Sequence, residues 1–512
     1  MPVSRRIVLG AGAGGVAALA LGAGTGSATP ALAHGGTTAA GGTTAAGGAT
    51  GLAGVDPAAW QELRQALSPA AQLVLPGDPS FAPQASVDNQ RFASVRPAGV
   101  LACAEEPDVQ SALWWCAKHG VPFAPRSGGH NYAGFSTTTG LVISLRAIDH
   151  VVPRGTRLHL GGGATNSDVY AAREAGLYFP GGRCGGVGVA GLTLGGGLGF
   201  NDRKWGLTCD RLVETRVVLA DGTLVRAAEN ENADLFWACR GGAGGNFGVN
   251  TAFVFDAVPV NHLRATVFSL AFDLDAAPLV VEELQDLLDH DGAGDLDVRI
   301  AFSHSGDGGT RLAVLGQRLG PRDVLEGLFA PLLRLARQPA FVQERDFWSA
   351  QDFLLDTPGE KDCYANKSLV PDRWLRPETV AEVAEWTRRW EPGPSRATGY
   401  VTLFAMGGAS GEPRPDETAY PHRGARFVID IGTHWAPGTP PDQVDGLLAQ
   451  TRAAHRTLRH HLGTDAAYVN FPDPDLSDWE HAYYGANHLR LTEVKRRYDP
   501  TGLFRYPQGV RR

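Results

Sequence analysis

The segment that most limits how this chain can fold runs from residue 181 to residue 199. Ten of its nineteen residues are glycine, and glycine at this density disfavours both a helix and a regular strand. Such a segment lets backbone N–H groups converge on an anion such as a pyrophosphate, and it lets the main chain lie flat against a ring. The sequence therefore predicts an irregular loop that holds a ligand through its backbone.

Two further glycine clusters repeat this pattern. Residues 126–132 read Arg-Ser-Gly-Gly-His-Asn-Tyr. The turn therefore has a guanidinium, which is a strong donor to anions, at one end and an imidazole at the other. Residues 240–249 read Arg-Gly-Gly-Ala-Gly-Gly-Asn-Phe-Gly-Val and precede a strand candidate. Three such loops predict a ligand with an extended polar backbone, held at several points. A Rossmann dinucleotide fold is disfavoured, because no clean strand precedes residues 195–199 and residues 201–203 are a poor helix start.

The pattern of apolar residues and glycines changes near residue 260. Before it, short apolar runs alternate with glycine clusters, whereas residues 260–464 carry long amphipathic segments between strand candidates. Helices are predicted at residues 108–119, 167–175, 279–288, 324–337, 379–390 and 444–462. Strands are predicted at residues 141–145, 157–160, 213–219, 251–255, 298–303, 312–315, 399–405 and 426–432. These elements indicate an α+β fold, with a second domain built as a sheet backed by helices.

The N-terminus has the features of an export signal. Arg5 and Arg6 precede a weakly apolar stretch rich in glycine and alanine, and residues 31–33, Ala-Leu-Ala, form a small-residue cleavage site. We therefore predict a twin-arginine signal peptide at residues 1–33, a flexible Gly/Thr/Ala linker at residues 34–54 and a secreted protein. The alternative is an uncleaved membrane anchor, but residues 7–24 would be a poor spanning helix.

Charge and cysteine content exclude several classes of function. The net charge of -8 and the lack of long basic runs argue against a nucleic-acid partner. The six cysteines are irregularly spaced, and a disulfide between Cys103 and Cys116 stays open as a possibility. No metal site is predicted, since His460 and His461 have no acidic or cysteine partner at ligand spacing.

The motifs that contain His130 and Cys184 resemble those of the berberine-bridge-enzyme-like oxidases, within the vanillyl-alcohol-oxidase superfamily. Matches in the same order also occur at residues 468–471, 479–487, 490–491, 494–495 and 498–504. The resemblance implies an FAD-binding domain of PCMH type in two parts, residues 55–259 (core about 95–259) and residues 465–512. Residues 260–464 would form the inserted substrate-binding domain, an antiparallel sheet backed by helices.

The resemblance further implies that FAD is bound covalently, through an 8α bond to His130 and a 6-S bond to Cys184. A neutral imidazole or a thiolate is the nucleophile needed to add to an electron-poor flavin. The alternative is a histidine that hydrogen-bonds within a turn and a small buried cysteine. The other residues predicted to bind the cofactor are Arg126, Ser127, Gly128, Gly129, Asn131, Val187, Gly188, Gly191, Leu194, Gly195, Gly245, Asn246, Gly248, Val249 and Asn487.

Oxidation by a flavin requires a base that removes the proton of the substrate's hydroxyl or amine as hydride leaves the carbon. Tyr468 matches an active-site tyrosine of the family, but a phenol is a poor base unless a neighbour stabilises the phenolate. Asp430, flanked by isoleucines in a strand, is costly to bury unless it is used or paired. The alternative interpretation of Asp430 is a carboxylate in a salt bridge to an arginine. Tyr400 is a third candidate base, and its alternative interpretation is an ordinary aromatic residue of the core.

The predicted function is a secreted FAD-dependent oxidase with bicovalently bound flavin. It would oxidise an alcohol or hemiacetal carbon of a sugar or glycosylated natural product and pass the electrons to O2, giving H2O2. Val187 favours oxygen as the acceptor, because valine-like residues at this place go with oxygen access in the family. Two alternatives stay open: oxidation or oxidative cyclisation of an alkaloid or polyketide, and a flavin-binding protein without turnover.

Overall fold

The structure is a computed structural model that describes residues 55–356, 359, 361–394 and 396–512. The predicted signal peptide and linker lie outside the described residues. Among the described residues, no helix is both long and apolar enough to cross a membrane.

A small sheet opens the described chain. Its strands lie in the spatial order β1 (Gln72–Val74), β2 (Gly99–Ala102), β4 (Leu141–Ser144) and β3 (Phe123–Arg126). The last three are parallel, and helix α3 (Glu106–His119) provides the crossover from β2 to β3. Strand β3 ends at the first residue of the glycine cluster at 126–132, so the sheet fixes where that loop begins.

A five-stranded antiparallel sheet follows and supports the other two glycine loops. Its spatial order is β5 (Val151–Arg154), β6 (Arg157–Gly161), β10 (Val249–Asp256), β8 (Leu212–Val218) and β9 (Leu224–Ala228). The short strands β7 (Leu177–Tyr178) and β11 (Val258–Pro259) pair beside it. The loop at 240–249 therefore leads directly into the central strand β10.

The third sheet has seven antiparallel strands. They lie in the order β15 (Phe341–Asp346), β12 (Arg264–Phe272), β14 (Gly309–Leu319), β13 (Leu296–Ser305), β17 (Thr398–Ala405), β18 (Phe427–Trp435) and β16 (Cys363–Leu369). Residues of helices α8 (Ala277–His290), α12 (Pro377–Arg389) and α13 (Pro441–Leu462) share one hydrophobic core with this sheet. The expected α+β fold, with an antiparallel sheet backed by helices, is confirmed.

The strands β17 and β18 are buried along their whole length. Because side chains alternate across a strand, Val401 and Leu403 join the core under the helices. Tyr400, Thr402 and Phe404 point to the opposite face and line a cavity. Both faces of the sheet are thus covered, one by helices and one by the glycine loops.

The remaining helices are short. They are α1 (Pro57–Gln65), α2 (Phe81–Ala85), α4 (Asn166–Ala171), α5 (Val189–Leu194), α6 (Asp202–Trp205), α7 (Ala233–Ala238), α9 (Arg322–Leu328), α10 (Ala330–Leu335), α11 (Phe347–Leu354), α14 (Trp479–Tyr484) and α15 (Asn487–Tyr498). Trp479, Leu491 and Tyr498 of the last two helices share a hydrophobic core with Phe253 and Phe255 of β10. The C-terminal segment therefore packs on the five-stranded sheet, although more than 220 residues separate α14 from β10 in sequence. The domain boundaries themselves stay predictions.

Two local expectations were wrong, and one open possibility is excluded. The glycine-rich segment contains helix α5, since residues 189–194 hold only one glycine and two long apolar side chains. The helix expected at 324–337 is two helices, α9 and α10; Pro331, which lacks a backbone N–H, lies in the first turn of α10. Cys103 and Cys116 do not form a disulfide: all six cysteines lie in the described part of the chain, and all are free thiols.

Candidate active site

Two of the glycine loops pack backbone against backbone. A Cβ added to Gly128 would lie 2.3 Å from the Gly188 nitrogen and 2.4 Å from the Gly186 carbonyl oxygen. A Cβ added to Gly188 would lie 2.3 Å from the Ser127 hydroxyl. Distances this short exclude any side chain, so these glycines let the loop carrying His130 lie directly against the loop carrying Cys184.

One cavity brings His130 and Cys184 together with the candidate bases. Of the residues predicted from the sequence, those that line it are Arg126, Ser127, Gly128, Gly129, His130, Asn131, Cys184, Val187, Gly188, Gly191, Leu194, Gly245, Gly248, Val249, Tyr400, Asp430 and Tyr468. The glycine loops form one wall, and strands β17 and β18 with the C-terminal segment form another. The glycine motifs and the candidate bases therefore belong to one site.

His130 is positioned by the turn at 128–129, where Gly129 has a φ of 79°. The imidazole Nδ1 is buried and finds no hydrogen-bond partner among the described residues. It lies 3.3 Å from the Asp88 carboxylate, at ion-pair distance. Burial raises the pKa of Asp88, but the contact with His130 outweighs it and the pKa is lowered. A buried ring nitrogen of this kind is expensive unless something else satisfies it.

Cys184 is partly exposed and lines the same cavity. Its thiol donates to the Asp356 carboxylate, with an Sγ to Oδ2 distance of 3.7 Å. Burial raises the pKa of the Cys184 thiol well above its usual value, and the negative charge of Asp356 raises it further.

The glycine wall fits a flat cofactor with a phosphate chain. No described atom lies within 4 Å of the position that a Cβ on Gly191 would take, so this backbone faces open space in the cavity. The Ser127 hydroxyl is buried without a hydrogen-bond partner among the described residues. A bare backbone surface for a ring, with a buried hydroxyl beside it that can bond to a ligand, fits FAD.

Asp430 and Tyr400 form a buried polar pair on the sheet wall. Tyr400 lies opposite Gly432 in the register of β17 and β18, and the missing side chain of Gly432 leaves room for the Tyr400 ring. The Tyr400 hydroxyl therefore reaches diagonally to the Asp430 carboxylate at 3.5 Å. Asn366 on β16 donates its amide to both groups, at 2.8 Å in the case of Asp430.

Burial raises the pKa of Asp430 to about 7, although the hydrogen bonds from Asn366 and Tyr400 act in the opposite direction. The carboxylate makes no ion pair with any described residue, so the expected alternative of a salt bridge to an arginine is not found. Burial and the charge of Asp430 raise the pKa of Tyr400 well above its usual value. Asp430 is therefore the member of the pair that can exchange a proton near neutral pH.

The Tyr468 hydroxyl is positioned by hydrogen bonds, one of them from the backbone of the glycine wall. It accepts hydrogen bonds from the Gly197 N–H at 3.0 Å and from the Asn470 amide at 3.1 Å. Burial raises its pKa, and these two hydrogen bonds only partly offset the effect. Tyr468 thus stays a phenol at neutral pH, and its role as a base remains a prediction.

Three of the predicted cofactor-binding residues do not line the cavity. Gly195 packs against the Asn470 side chain, which an added Cβ would approach to 2.1 Å. The Asn246 amide bonds to Gly242 and Val510, and the Asn487 amide bonds to carbonyls in the loop at 415–419. These asparagines tie loops together, because each satisfies backbone groups that the loops leave unpaired.

The guanidinium of Arg126 also differs from expectation. It lines the cavity, but its donors bond to the carbonyl oxygens of Gln84 and Ser136, each at 2.8 Å, and lie near those of Ala85 and Ser86. Arg126 was expected to offer these donors to an anion. It instead fixes two neighbouring loops around the glycine turn.

Several site residues were missed from the sequence. His434 lies two positions beyond Gly432 on the same face of β18 as Asp430, so strand alternation could have identified it. Tyr506 and Gln508 also line the cavity. They lie in the C-terminal segment that resembles the family, and this position was the available sequence signal for a place in the site. Asp88 and Asp356, beside the two predicted attachment residues, carry no sequence signal.

Comparison with known proteins identifies the family. Residues 97–228 match the family model described as "FAD binding domain", and residues 467–511 match "Berberine and berberine like". An uncharacterized FAD-linked oxidoreductase of Bacillus subtilis (strain 168) is 32% identical over 427 residues, which cover 80% of this chain and 90% of that protein. The xylooligosaccharide oxidase of Thermothelomyces thermophilus is 30% identical over 452 residues, covering 81% and 87% respectively.

The fold agrees with this assignment. The solved structure of a xylooligosaccharide oxidase from Myceliophthora thermophila C1, in complex with xylobiose, superposes with a TM-score of 0.76 at 27% identity. The match covers 89% of this chain and 99% of that one. With the glycine-walled cavity and the C-terminal match, these similarities show that the chain belongs to the berberine-bridge-enzyme-like family of FAD-linked oxidoreductases.

Proposed function

We propose that the protein is an exported oxidase that carries FAD bound covalently to His130 and Cys184. Its substrate would be an alcohol or hemiacetal carbon of a sugar or a glycosylated natural product, and its acceptor O2. The twin-arginine pattern at residues 5–6 supports export in a folded, cofactor-loaded state. A covalent bond at each of two loops would keep the cofactor from being lost outside the cell.

The observation that carries this proposal is the composition of the cavity. His130 and Cys184 lie on one wall, and a carboxyl group with a pKa of about 7 lies on the other. When bound, FAD supplies the oxidation itself, taking a hydride from the substrate carbon and passing the electrons to O2 as H2O2. The protein must then supply attachment, orientation and a proton acceptor.

Asp430 is the proposed proton acceptor for the substrate hydroxyl. Its pKa of about 7 suits proton transfer in both directions near neutral pH. Tyr400 and Asn366 hold the carboxylate through hydrogen bonds and fix the direction of its oxygens. Tyr468, which lines the same cavity, would help to hold the substrate hydroxyl near Asp430.

Two features support a sugar as the substrate. The relatives named above include xylooligosaccharide oxidases, and the sheet wall of this cavity carries several hydrogen-bonding groups. Burial lowers the pKa of His434 to about 4, so its imidazole is neutral and can both donate and accept. The Nδ1 of His434 has no hydrogen-bond partner among the described residues, which suits a substrate hydroxyl.

Val187 lies in the cavity lining three residues after Cys184. Its branched side chain is shorter than that of leucine or phenylalanine. Together with the association of valine-like residues with oxygen access in the family, this supports O2 as the electron acceptor.

Anaerobic mixing with oligosaccharides tests the proposed reaction. We expect one or more of a panel of xylo-, cello- and chito-oligosaccharides to bleach the flavin absorbance, and air to restore it with one H2O2 per cycle. Bleaching by aromatic alkaloid or polyketide compounds, without any response to sugars, would replace the sugar by the alternative substrate class. A flavin that no donor bleaches would indicate a binding protein.

A further inference from the structure

The thiol of Cys184 has a carboxylate partner from a distant part of the chain. Asp356 follows helix α11 at the end of the seven-stranded sheet, 172 residues away in sequence. Its backbone N–H donates to the Arg183 carbonyl at 2.9 Å, and the two segments form a parallel bridge at Cys184 and Asp356. The pairing places the Asp356 carboxylate beside the thiol, with the Sγ to Oδ2 distance of 3.7 Å.

A cation holds the same carboxylate. The Arg299 guanidinium, on strand β13, lies 3.4 Å from the other oxygen of Asp356. Both side chains are nearly inaccessible, with 3% and 5% of their surfaces exposed. An arginine at this distance favours the ionised form of the carboxylate, which is the form that can take a proton.

The thiol needs such a partner if it is to react. The nucleophile in thioether formation is the thiolate, and burial raises the pKa of Cys184 so far that a free thiolate is rare at neutral pH. Asp356 and Asp88 add negative charge near the thiol, which disfavours a free thiolate further, and Arg299 acts in the opposite direction. The proton must therefore leave as the sulfur–carbon bond forms, to a base already in contact with the thiol.

We infer that Asp356, held by Arg299, is the proton acceptor that enables Cys184 to form its thioether bond to FAD. This inference rests on the proposed bicovalent attachment. The Sγ–H bond breaks, its proton passes to the Asp356 carboxylate, and the sulfur electron pair forms the bond to ring carbon C6. The C6 hydrogen then leaves as a proton, and dioxygen accepts the remaining two electrons with two protons. In sum, thiol, ring C–H and O2 give thioether and H2O2.

The structure thereby assigns the inserted domain a part in loading the cofactor. The thiol belongs to a glycine loop, whereas its base and the arginine that holds it belong to the substrate-binding region. Thioether formation would therefore wait until the seven-stranded sheet has packed against the glycine loops.

Substitution of Asp356 by asparagine tests the inference. The full-length Asp356→Asn variant should retain flavin through His130 while thioether formation slows about 100-fold, the size of a typical general-base contribution. The readout is mass mapping of flavin peptides from acid-precipitated protein at successive times after synthesis. The His130 peptide reports folding within the same sample. Asp352→Asn, on the exposed surface of α11, is the matched control and should attach as the wild type does.

Two further measurements separate proton transfer from a structural effect. Raising the pH should restore the thioether in Asp356→Asn by about tenfold per pH unit, because hydroxide then forms the thiolate, whereas the wild type, with a base already in contact with the thiol, should respond much less; a merely structural role would leave the two pH dependences parallel. Arg299→Gln should slow thioether formation as well. If Asp356→Asn is not recovered as a folded protein, the rate of thioether formation in Arg299→Gln alone tests the inference. Normal attachment in the recovered variants would overturn the inference. A wild type without any thioether at Cys184 would instead overturn the proposed bicovalent linkage.

Discussion

The two walls of the cavity are built on opposite principles. The glycine wall presents backbone, and its residues are fixed by close approach of one loop to another, as at Gly128 and Gly188. The sheet wall presents side chains, and its residues are fixed by the alternation and register of β17 and β18. A wall of backbone suits a cofactor common to a family, whereas a wall of side chains can vary with the substrate without disturbing the fold.

The glycine wall should tolerate the least change. Gly128→Ala places a methyl group 2.3 Å from the Gly188 nitrogen, so the two loops must separate. Overpacking of this kind costs about 1–3 kcal/mol or more, and we expect the purified protein to lack flavin and to melt earlier. Thermal unfolding and the visible spectrum measure both effects. Gly446→Ala, at an open position in helix α13, is the control and should be neutral or stabilising. A flavin-loaded Gly128→Ala variant would contradict the close packing of the loops.

On the sheet wall, the largest effect is expected at Asp430. Asp430→Asn keeps the shape but removes the proton acceptor, so the rate of flavin reduction should fall by about 10²–10⁴ while the flavin stays bound. Stopped-flow reduction under anaerobic conditions measures this step. The control is Asp372→Asn, whose side chain is 77% exposed. A change of less than tenfold would remove Asp430 from the proposed role and leave Tyr468 as the remaining candidate.

The pH dependence follows from the same carboxyl group. The pKa of Asp430 is raised to about 7, and only the ionised form accepts a proton. The value of kcat/KM should therefore rise with pH up to about 7 and then level off, falling about tenfold per unit on the acid side. The rise should disappear in Asp430→Asn. A wild-type profile that is flat between pH 5 and 8 would show that another group takes the proton.

Tyr400 should show a smaller effect on the same wall. Tyr400→Phe removes one hydrogen bond to the Asp430 carboxylate, worth about 1–2 kcal/mol, so the rate of flavin reduction should fall roughly tenfold. Because the hydroxyl also opposes the raised pKa of Asp430, the acid limb of the pH profile should move upward in this variant. An unchanged limb would mean that Tyr400 contacts the substrate without acting on Asp430.

The same contrast explains how much could be predicted from the sequence. The close packing of the two glycine loops has a visible sequence signal, because a position that admits no side chain must be glycine, as at Gly128 and Gly188. The α+β architecture followed from periodicity. Helix α5 was missed because overall glycine density obscured the six residues between the glycine clusters.

Contacts between distant segments could not be predicted. Asp356 and Asp88 lie next to Cys184 and His130 only after the sheets have packed, and neither is part of a motif. Asn246 and Asn487 show the converse, since they belong to matching motifs but satisfy backbone carbonyls and amides outside the cavity. Asp430 drew attention in the sequence because an acid flanked by isoleucines is costly to bury, whereas its partners, Asn366 and Tyr400, depend on strand register.

We propose that the glycine wall holds FAD through two covalent bonds. The most direct measurement is an absorbance spectrum of acid-precipitated protein, combined with mass mapping of its peptides. We predict that the yellow colour stays with the protein and that flavin is found on the peptides containing His130 and Cys184. A colourless pellet with all the flavin in the supernatant would contradict the claim.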